Sequence, residues 1–379
     1  MNTTFPAGGH PKDPGQTATF QLQALEDIHH KTIPFPPAGL CRAVGAASLD
    51  PSEISMIRNG GFSHYNVFLA LHREGWEDTF RKANSEAKGM KLPMMVELEF
   101  GEQWETEMMG FIALCNSIFP FVDEVLVLRK DHPVTPPDMI AQMLPSLREG
   151  LHHVKIGTGT TAGVDRLKAA HMADAATDFI AFTLPGIPDN EQISSDILSA
   201  RDLAAGKQVY AVMEQYRDLS ADPNVSMADA CNFLSRLKCI LEAGIDSLSI
   251  AYASGENGLL AEQGRKIHPD FHILSALTGF RNSFVVPLGL SPDDGVISLA
   301  LKSGTAWLIL LGNPTLLPVS VYLDDNKPDC RLRTLGPADL ESLSSDPDQF
   351  GKQAAQPVTL SKGQQVLLLD PLTIAFLEC

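Results

Sequence analysis

Residues 94–130 read MMVELEFGEQWETEMMGFIALCNSIFPFVDEVLVLRK. Met94, Val96, Leu98 and Phe100 alternate with Met95, Glu97 and Glu99, the period of two that marks a strand. Gln103–Ile118 has the length of a helix, and Glu124–Lys130 is again a strand. The same unit recurs on both sides. Strands are expected at Leu40–Gly45, Tyr65–Leu71, Val154–Thr158, Asp178–Leu184, Gln208–Tyr216 and Ser247–Ala253. Helices are expected at Ser52–Arg58, Trp76–Lys88, Pro137–Leu147, Val164–Ala175, Ser194–Ala205, Ala228–Ala243 and Pro269–Phe280. Gly60-Gly61, Gly89, Gly206 and Gly244 stand where helices stop, and Pro136-Pro137 where one starts. Eight such units in about 240 residues match a closed (β/α)8 TIM barrel, class α/β, over residues 37–283.

After Phe284 the pattern turns all-β. Short strands are expected at Val296–Lys302, Ala306–Leu311, Val319–Leu323, Val358–Leu360, Gln365–Leu369 and Leu372–Leu377, with residues 346–356 as a loop. They predict a small C-terminal β-sandwich over residues 284–379. Its connection, Phe280–Leu288, is short and apolar, so it should pack on the barrel. Residues 1–36 read as an N-terminal arm. Pro6, Gly8, Gly9, Pro11, Pro14 and Gly15 crowd its start, and it lacks the apolar core of a secretory signal.

Composition narrows the partners. The chain has 46 acidic against 29 basic residues, a net charge of −17, which argues against a nucleic-acid partner. No apolar run reaches the ~18 residues of a membrane span. The cysteines Cys41, Cys115, Cys231, Cys239, Cys330 and Cys379 are scattered without a CxxC pair. They read as free thiols in a reducing cytoplasm.

A barrel of this kind does its chemistry at the C-terminal ends of its strands. The apolar face of the third strand belongs against the helices, which turns Glu97 and Glu99 inward, Glu99 nearer the mouth. Lys155 is expected inside for the same reason, because Val154 and Ile156 face outward. A Lys–Glu pair there would serve either chemistry or the neutralisation of buried charge. The candidate catalytic residues are Glu99, Glu214 and Glu256, with Glu99 preferred as acid/base because a carboxylate in the mouth loses hydration. Arg129, His132, Tyr252, Thr158 and Thr160 are the candidate substrate contacts. The loop Ile156–Thr161 resembles a phosphate cradle, but it has neither the P-loop lysine nor GxGxxG. His268 and His272 stand four apart without HExxH and read as helix-terminal residues. There is no GxSxG motif. No metal or other cofactor is expected.

A barrel followed by a β-sandwich is a common build among enzymes acting on carbohydrates, an association by analogy. The Asn-Glu pair expected at the end of the fourth strand in the commonest barrel glycosidases of this build is absent. Residues 226–280 add a resemblance. Ala228-Asp229-Ala230-Cys231 leads through Leu237-Lys238 and Leu241-Glu242-Ala243-Gly244 into Ile245-Asp246-Ser247-Leu248-Ser249. His268-Pro269-Asp270-Phe271-His272-Ile273-Leu274 follows. This stretch, with the Gly157-Thr158 turn, Asp178-Phe179 and the Leu367–Leu377 ending, resembles the D-apionate lactonase family over most of residues 40–379. The resemblance implies the same barrel and C-terminal β-domain, without the family's further β-domain ahead of the barrel.

The family's polar site does not carry over. Asn66 and Phe68 stand where the family pattern has Arg and Asp, and Gly159 and Thr161 where it has Asp and Asn. Leu184-Pro185-Gly186-Ile187-Pro188 has no His, and Tyr252 replaces a Glu, although Glu256 follows. The expected function is a carbohydrate-related hydrolase acting on a sugar-acid lactone or a glycoside. The alternative is a non-catalytic barrel that binds a sugar or a protein. The expected partner is a small sugar or sugar-acid ligand, with no membrane and no nucleic acid.

Overall fold

The computed structural model describes residues 17–21, 33–168, 176–184, 190–214, 223–250, 252–255, 258–261, 266–288, 295–324, 330–340, 350, 355–358 and 365–379. In chain order it begins with β1 (Thr17–Gln21), β2 (Ile33–Pro34) and β3 (Ala38–Cys41), followed by α1 (Pro51–Asn59) and β4 (Tyr65–Ala70). Next come α2 (Trp76–Met90), β5 (Met94–Phe100), α3 (Trp104–Ile118), β6 (Val122–Arg129), α4 (Pro137–Gly150) and β7 (Lys155–Gly159). Then follow α5 (Asp165–Lys168), β8 (Phe179–Leu184), α6 (Asn190–Ala204), β9 (Gln208–Met213), α7 (Pro223–Ala243) and β10 (Ser247–Ile250). A two-stranded ribbon of β11 (Leu260–Ala261) and β12 (Lys266–Ile267) precedes α8 (Pro269–Gly279).

Strands β3 to β10 close into one parallel barrel, with Leu248, Ser249 and Ile250 of β10 beside Ala38, Gly39 and Leu40 of β3. The α/β barrel expected from the repeating units is therefore present. Local chemistry fixes its parts. Asp50 accepts from the Ser52 and Glu53 amides while the Glu53 carboxylate takes the Asp50 N–H, a capping box that starts α1 ahead of Pro51. Outward residues of the strands, such as Val96, Leu98, Val125, Val127, Ile156 and Ile180, join the helices in one large buried core. Inward residues form a separate small cluster of Met95, Leu126, Leu128, Phe179, Ala181 and Tyr210. Gly157 leaves room for it, because a Cβ there would lie 2.1 Å from the Phe179 ring. Phe179 stacks on Tyr210 with ring centroids 4.2 Å apart.

The C-terminal part comprises β13 (Phe284–Val286), β14 (Ile297–Ser303), β15 (Ala306–Asn313), β16 (Val319–Asp324) and β17 (Cys330–Leu335). It ends with β18 (Gln356–Val358), β19 (Gln365–Leu369) and β20 (Thr373–Glu378). One sheet runs β18-β17-β20-β15-β14-β13-β2 and a smaller one β1-β16-β19. Alternation in β20 explains the layering. Ile374 and Phe376 join the barrel's core, whereas Ala375 and Leu377 join a second core with Trp307, Val321 and Leu369. The larger sheet thus packs on the barrel, as its short apolar connection requires.

Two expectations change. The N-terminal arm is not separate throughout. Thr17–Gln21 pairs in parallel with Ser320–Asp324, and Ile33–Pro34 pairs with Phe284–Val285, so two pieces of residues 1–36 belong to the C-terminal sheets. The cysteines are not all free. Cys330 at the start of β17 and Cys379 just past β20 form a disulfide with Cα atoms 4.3 Å apart, because β17 and β20 are antiparallel neighbours. The free-thiol reading holds for Cys41, Cys115, Cys231 and Cys239. A disulfide belongs to an oxidising compartment, so the cytoplasmic expectation loses the support it drew from the thiols. No helix among the described residues is long and apolar enough to cross a membrane.

Candidate active site

The inward faces of β3, β4, β5, β9 and β10 bring a chain of polar groups together inside the barrel. Glu97 follows Met95 on the inner face of β5 and is only 9% exposed. The Asn66 amide of β4 donates to Glu97 Oε1 at 2.6 Å and to Cys41 Sγ at 3.6 Å. Burial raises the Glu97 carboxyl above its ordinary range, and the Asn66 hydrogen bond opposes this only in part. Glu97 therefore keeps its proton to higher pH than an ordinary glutamate.

Cys41, the last residue of β3, is also buried. Desolvation, then the Glu97 charge and further the Glu214 charge, drive its thiol well up, against hydrogen bonds with Asn66 and Ser249. It stays a thiol and is no thiolate nucleophile. Ser249 Oγ is hydrogen-bonded to His64 Nε2 at 2.8 Å, and His64 Nδ1 to Ser63 Oγ at 2.9 Å. Desolvation lowers His64 to about 4, so the ring is neutral near pH 7. Gly39 accommodates it, since a Cβ there would lie 2.3 Å from the imidazole.

Glu214 directly follows β9. Tyr210 of that strand lies in the inner cluster and Met213 in the outer core, so the period of two turns Glu214 inward. Its electrostatic action on Cys41, shared with Glu97, agrees with this facing. Its backbone is tied at both groups, N–H to the Leu184 carbonyl at 3.0 Å and carbonyl to Arg236 Nη2 at 3.0 Å. Glu99 also faces inward, paired in register with Ala70 and Leu128. It lies 3.5 Å from His72 Nδ1 on the loop after β4, with about a quarter of its side chain exposed. Phe68, Ala70, Thr183 and Val212 are partly exposed on the inner face.

Among the candidates, Glu99 and Glu214 take part in this mouth, while Glu256 lies outside the described residues. So do residues 185–189, 215–222, 251 and 257. Thr158 is a correction. It pairs with Val127 and Ile180, both in the outer core, so it faces the helices, and its hydroxyl lacks a hydrogen-bond partner there. Thr160 is likewise buried, and its Oγ1 accepts the Ala162 N–H at 3.0 Å to shape its own loop. Arg129 pairs with Phe100 and shares the helix-facing side of β6, not the mouth. His132 is exposed in the turn after β6. Tyr252 is partly exposed in the turn after β10, its carbonyl accepting the Leu259 N–H at 3.0 Å.

Lys155 does point inward, but at the opposite end of the barrel. It meets Glu124 at 3.4 Å and the Tyr210 hydroxyl at 3.3 Å, and Tyr210 donates to Glu124 at 2.6 Å. The Lys–Glu pair is thus with Glu124, a plug at the strand N-termini. His268 caps α8, accepting the Asp270 N–H at 3.4 Å. Among the described residues no group of three His, Cys, Asp or Glu side chains could hold a metal. Sequence reasoning left out Cys41, His64, His72 and Ser249, and used Asn66 only as a departure from a family pattern. Carrying the inward alternation from β5 to β4 would have flagged Asn66.

No known protein family and no curated protein matches the chain by sequence. Solved structures do match its fold, several glycoside hydrolases among them. A GH30 endoxylanase from Clostridium papyrosolvens C71 superposes with a TM-score of 0.65 over 96% of this chain and 99% of its own, at 11% identity. A family 51 α-L-arabinofuranosidase, AbfB of Bifidobacterium longum, gives 0.63 over 97% and 99% at 10% identity. SrfJ from Salmonella typhimurium gives 0.63 over 98% and 94%, also at 10% identity.

Proposed function

We propose that this protein is a carbohydrate hydrolase that cleaves a glycosidic bond with the carboxylates of its barrel mouth. The observation that carries the reading is a pair of inward carboxylates, the buried Glu97 held by Asn66 and Glu214 at the end of β9. Glycoside cleavage needs two carboxyl groups, one as proton donor and one as nucleophile or base. Glu97 holds its proton and donates it to the leaving oxygen. Glu214, at the end of β9, attacks the anomeric carbon or activates water. Glu99, with His72 beside it, binds sugar hydroxyls at the rim. The Asn66 carbonyl oxygen is buried without a hydrogen-bond partner and is placed to accept a hydroxyl. This moves the acid/base role expected for Glu99 one step deeper, because desolvation falls on Glu97. The glycoside hydrolases of the same fold support the substrate class.

A lactone is the second reading, supported by the resemblance to the D-apionate lactonase family, with Glu97 protonating the departing alkoxide. The test is a panel of aryl β- and α-glycosides and of sugar-acid γ- and δ-lactones, with wild type, Glu97→Gln and Glu214→Gln. Turnover of a glycoside, reduced about 10²-fold or more in both variants, is expected. Turnover confined to lactones would favour the second reading. Saturable sugar binding without turnover on either panel would replace both with a binding barrel.

A further inference from the structure

A second cavity, of about 810 Å³, lies away from the mouth between the barrel and the larger C-terminal sheet. It is bounded by the last residues of α1, by α8 and by β15, β17 and β20. Helices of a β/α unit run back toward the strand N-termini, so these helix ends lie at the face opposite the mouth. Its size is that of a small-ligand site, and its lining has the character of one, mostly apolar with a few polar groups.

Met56, Phe271, Phe280 and Phe350 supply an apolar, largely aromatic wall. The charged side chains on its lining are Arg331, Arg333 and Glu378, and Cys379 lies beside them. Arg333 is neutralised by Glu378 and lies 5.3 Å over the Phe350 ring. Arg331 is exposed and has no ion pair among the described residues. His272 lines the same cavity, is only 4% exposed, and its Nε2 has no hydrogen-bond partner. A buried ring nitrogen left unpaired is costly, and a ligand hydroxyl would satisfy it. Desolvation lowers His272 to about 4, so the ring is neutral near pH 7 and accepts or donates one hydrogen bond.

We propose that this cavity binds a small aromatic carboxylate, the carboxylate on Arg331, the ring against Phe280 and Met56, and a ring hydroxyl on His272. This site is independent of the chemistry at the mouth. An apolar amine would meet an unpaired arginine, and a simple sugar would leave the aromatic wall poorly used.

The probe is 6-hydroxy-2-naphthoate, titrated into the full-length protein and followed by its own fluorescence. Saturable one-to-one binding is expected. Arg331→Gln, at an exposed position, should weaken it about tenfold or more, the scale of a lost charge-assisted hydrogen bond. Ala276→Trp, at the partly exposed cavity wall, should abolish it while the protein stays folded by circular dichroism. Naphthalene-2-methanol, which lacks the carboxylate, should bind about tenfold more weakly than the acid. Absence of saturable binding, or binding indifferent to Arg331→Gln or Ala276→Trp, would overturn the proposal. Glucuronate binding as tightly as the naphthoate through the same residues would overturn the aromatic class.

Discussion

Glu97 and Glu99 stand two residues apart on the inner face of β5 and meet different surroundings. Alternation along Met94–Phe100 puts Glu97 and Glu99 inside, and both are inside. Depth decides the rest. Glu99 is held at the open rim near His72, whereas Glu97 meets Asn66 and loses its water. That difference depends on neighbours contributed by other strands, which no single-strand pattern contains. It has a stability signature. The folded pKa of Glu97 is raised above 4.5, so its contribution is fully present below the unfolded value and is lost as pH climbs through the folded one. Glu97→Gln keeps an oxygen for the Asn66 amide and removes the charge. It should raise Tm by about 2 °C at pH 8 and give no gain at pH 4.5, measured by differential scanning calorimetry. An equal shift at both pH values would mean that Glu97 carries no desolvated charge.

At the scale of elements, the barrel strands and helices are legible from alternation and length, with Gly60, Gly206 and Gly244 close behind three of the helices. The C-terminal sheets were less so. Cys330–Leu335 alternates with Arg331 and Arg333 on its cavity-lining side, and its weak apolar pattern hid a strand that pairs with β20. With that strand unrecognised, the Cys330–Cys379 contact was invisible, since the two residues are 49 apart in sequence. Thr17–Gln21 escaped for a related reason. Among the described residues its strand partner is Ser320–Asp324, far along the chain. Titration of protein prepared without reductant and then denatured should find the thiols of Cys41, Cys115, Cys231 and Cys239 only, the other two appearing after reduction. Cys330→Ser releases the chain end from β17 and should cost about 4 kcal/mol by loop entropy. In a chain this long that is about 5 °C in Tm. Six reactive thiols before reduction would remove the clasp from the account.

For the whole molecule, the barrel, its closure between β3 and β10 and the docking of the C-terminal sheet were readable, because burying apolar faces leaves few other arrangements. The mouth was readable only in part. Thr158 and Arg129 fall on the helix side of strands whose ends pointed to the right region but the wrong face. The central claim is that Glu97 donates a proton in a carboxylate pair with Glu214. The pH dependence of kcat/KM for the best glycoside or lactone substrate, wild type against Glu97→Gln, tests it most directly. The wild-type rate should fall on the alkaline side as Glu97 loses its proton, and the variant should be slowed about 10²-fold and lack this alkaline limb. A variant with wild-type rate and the same alkaline limb would contradict it.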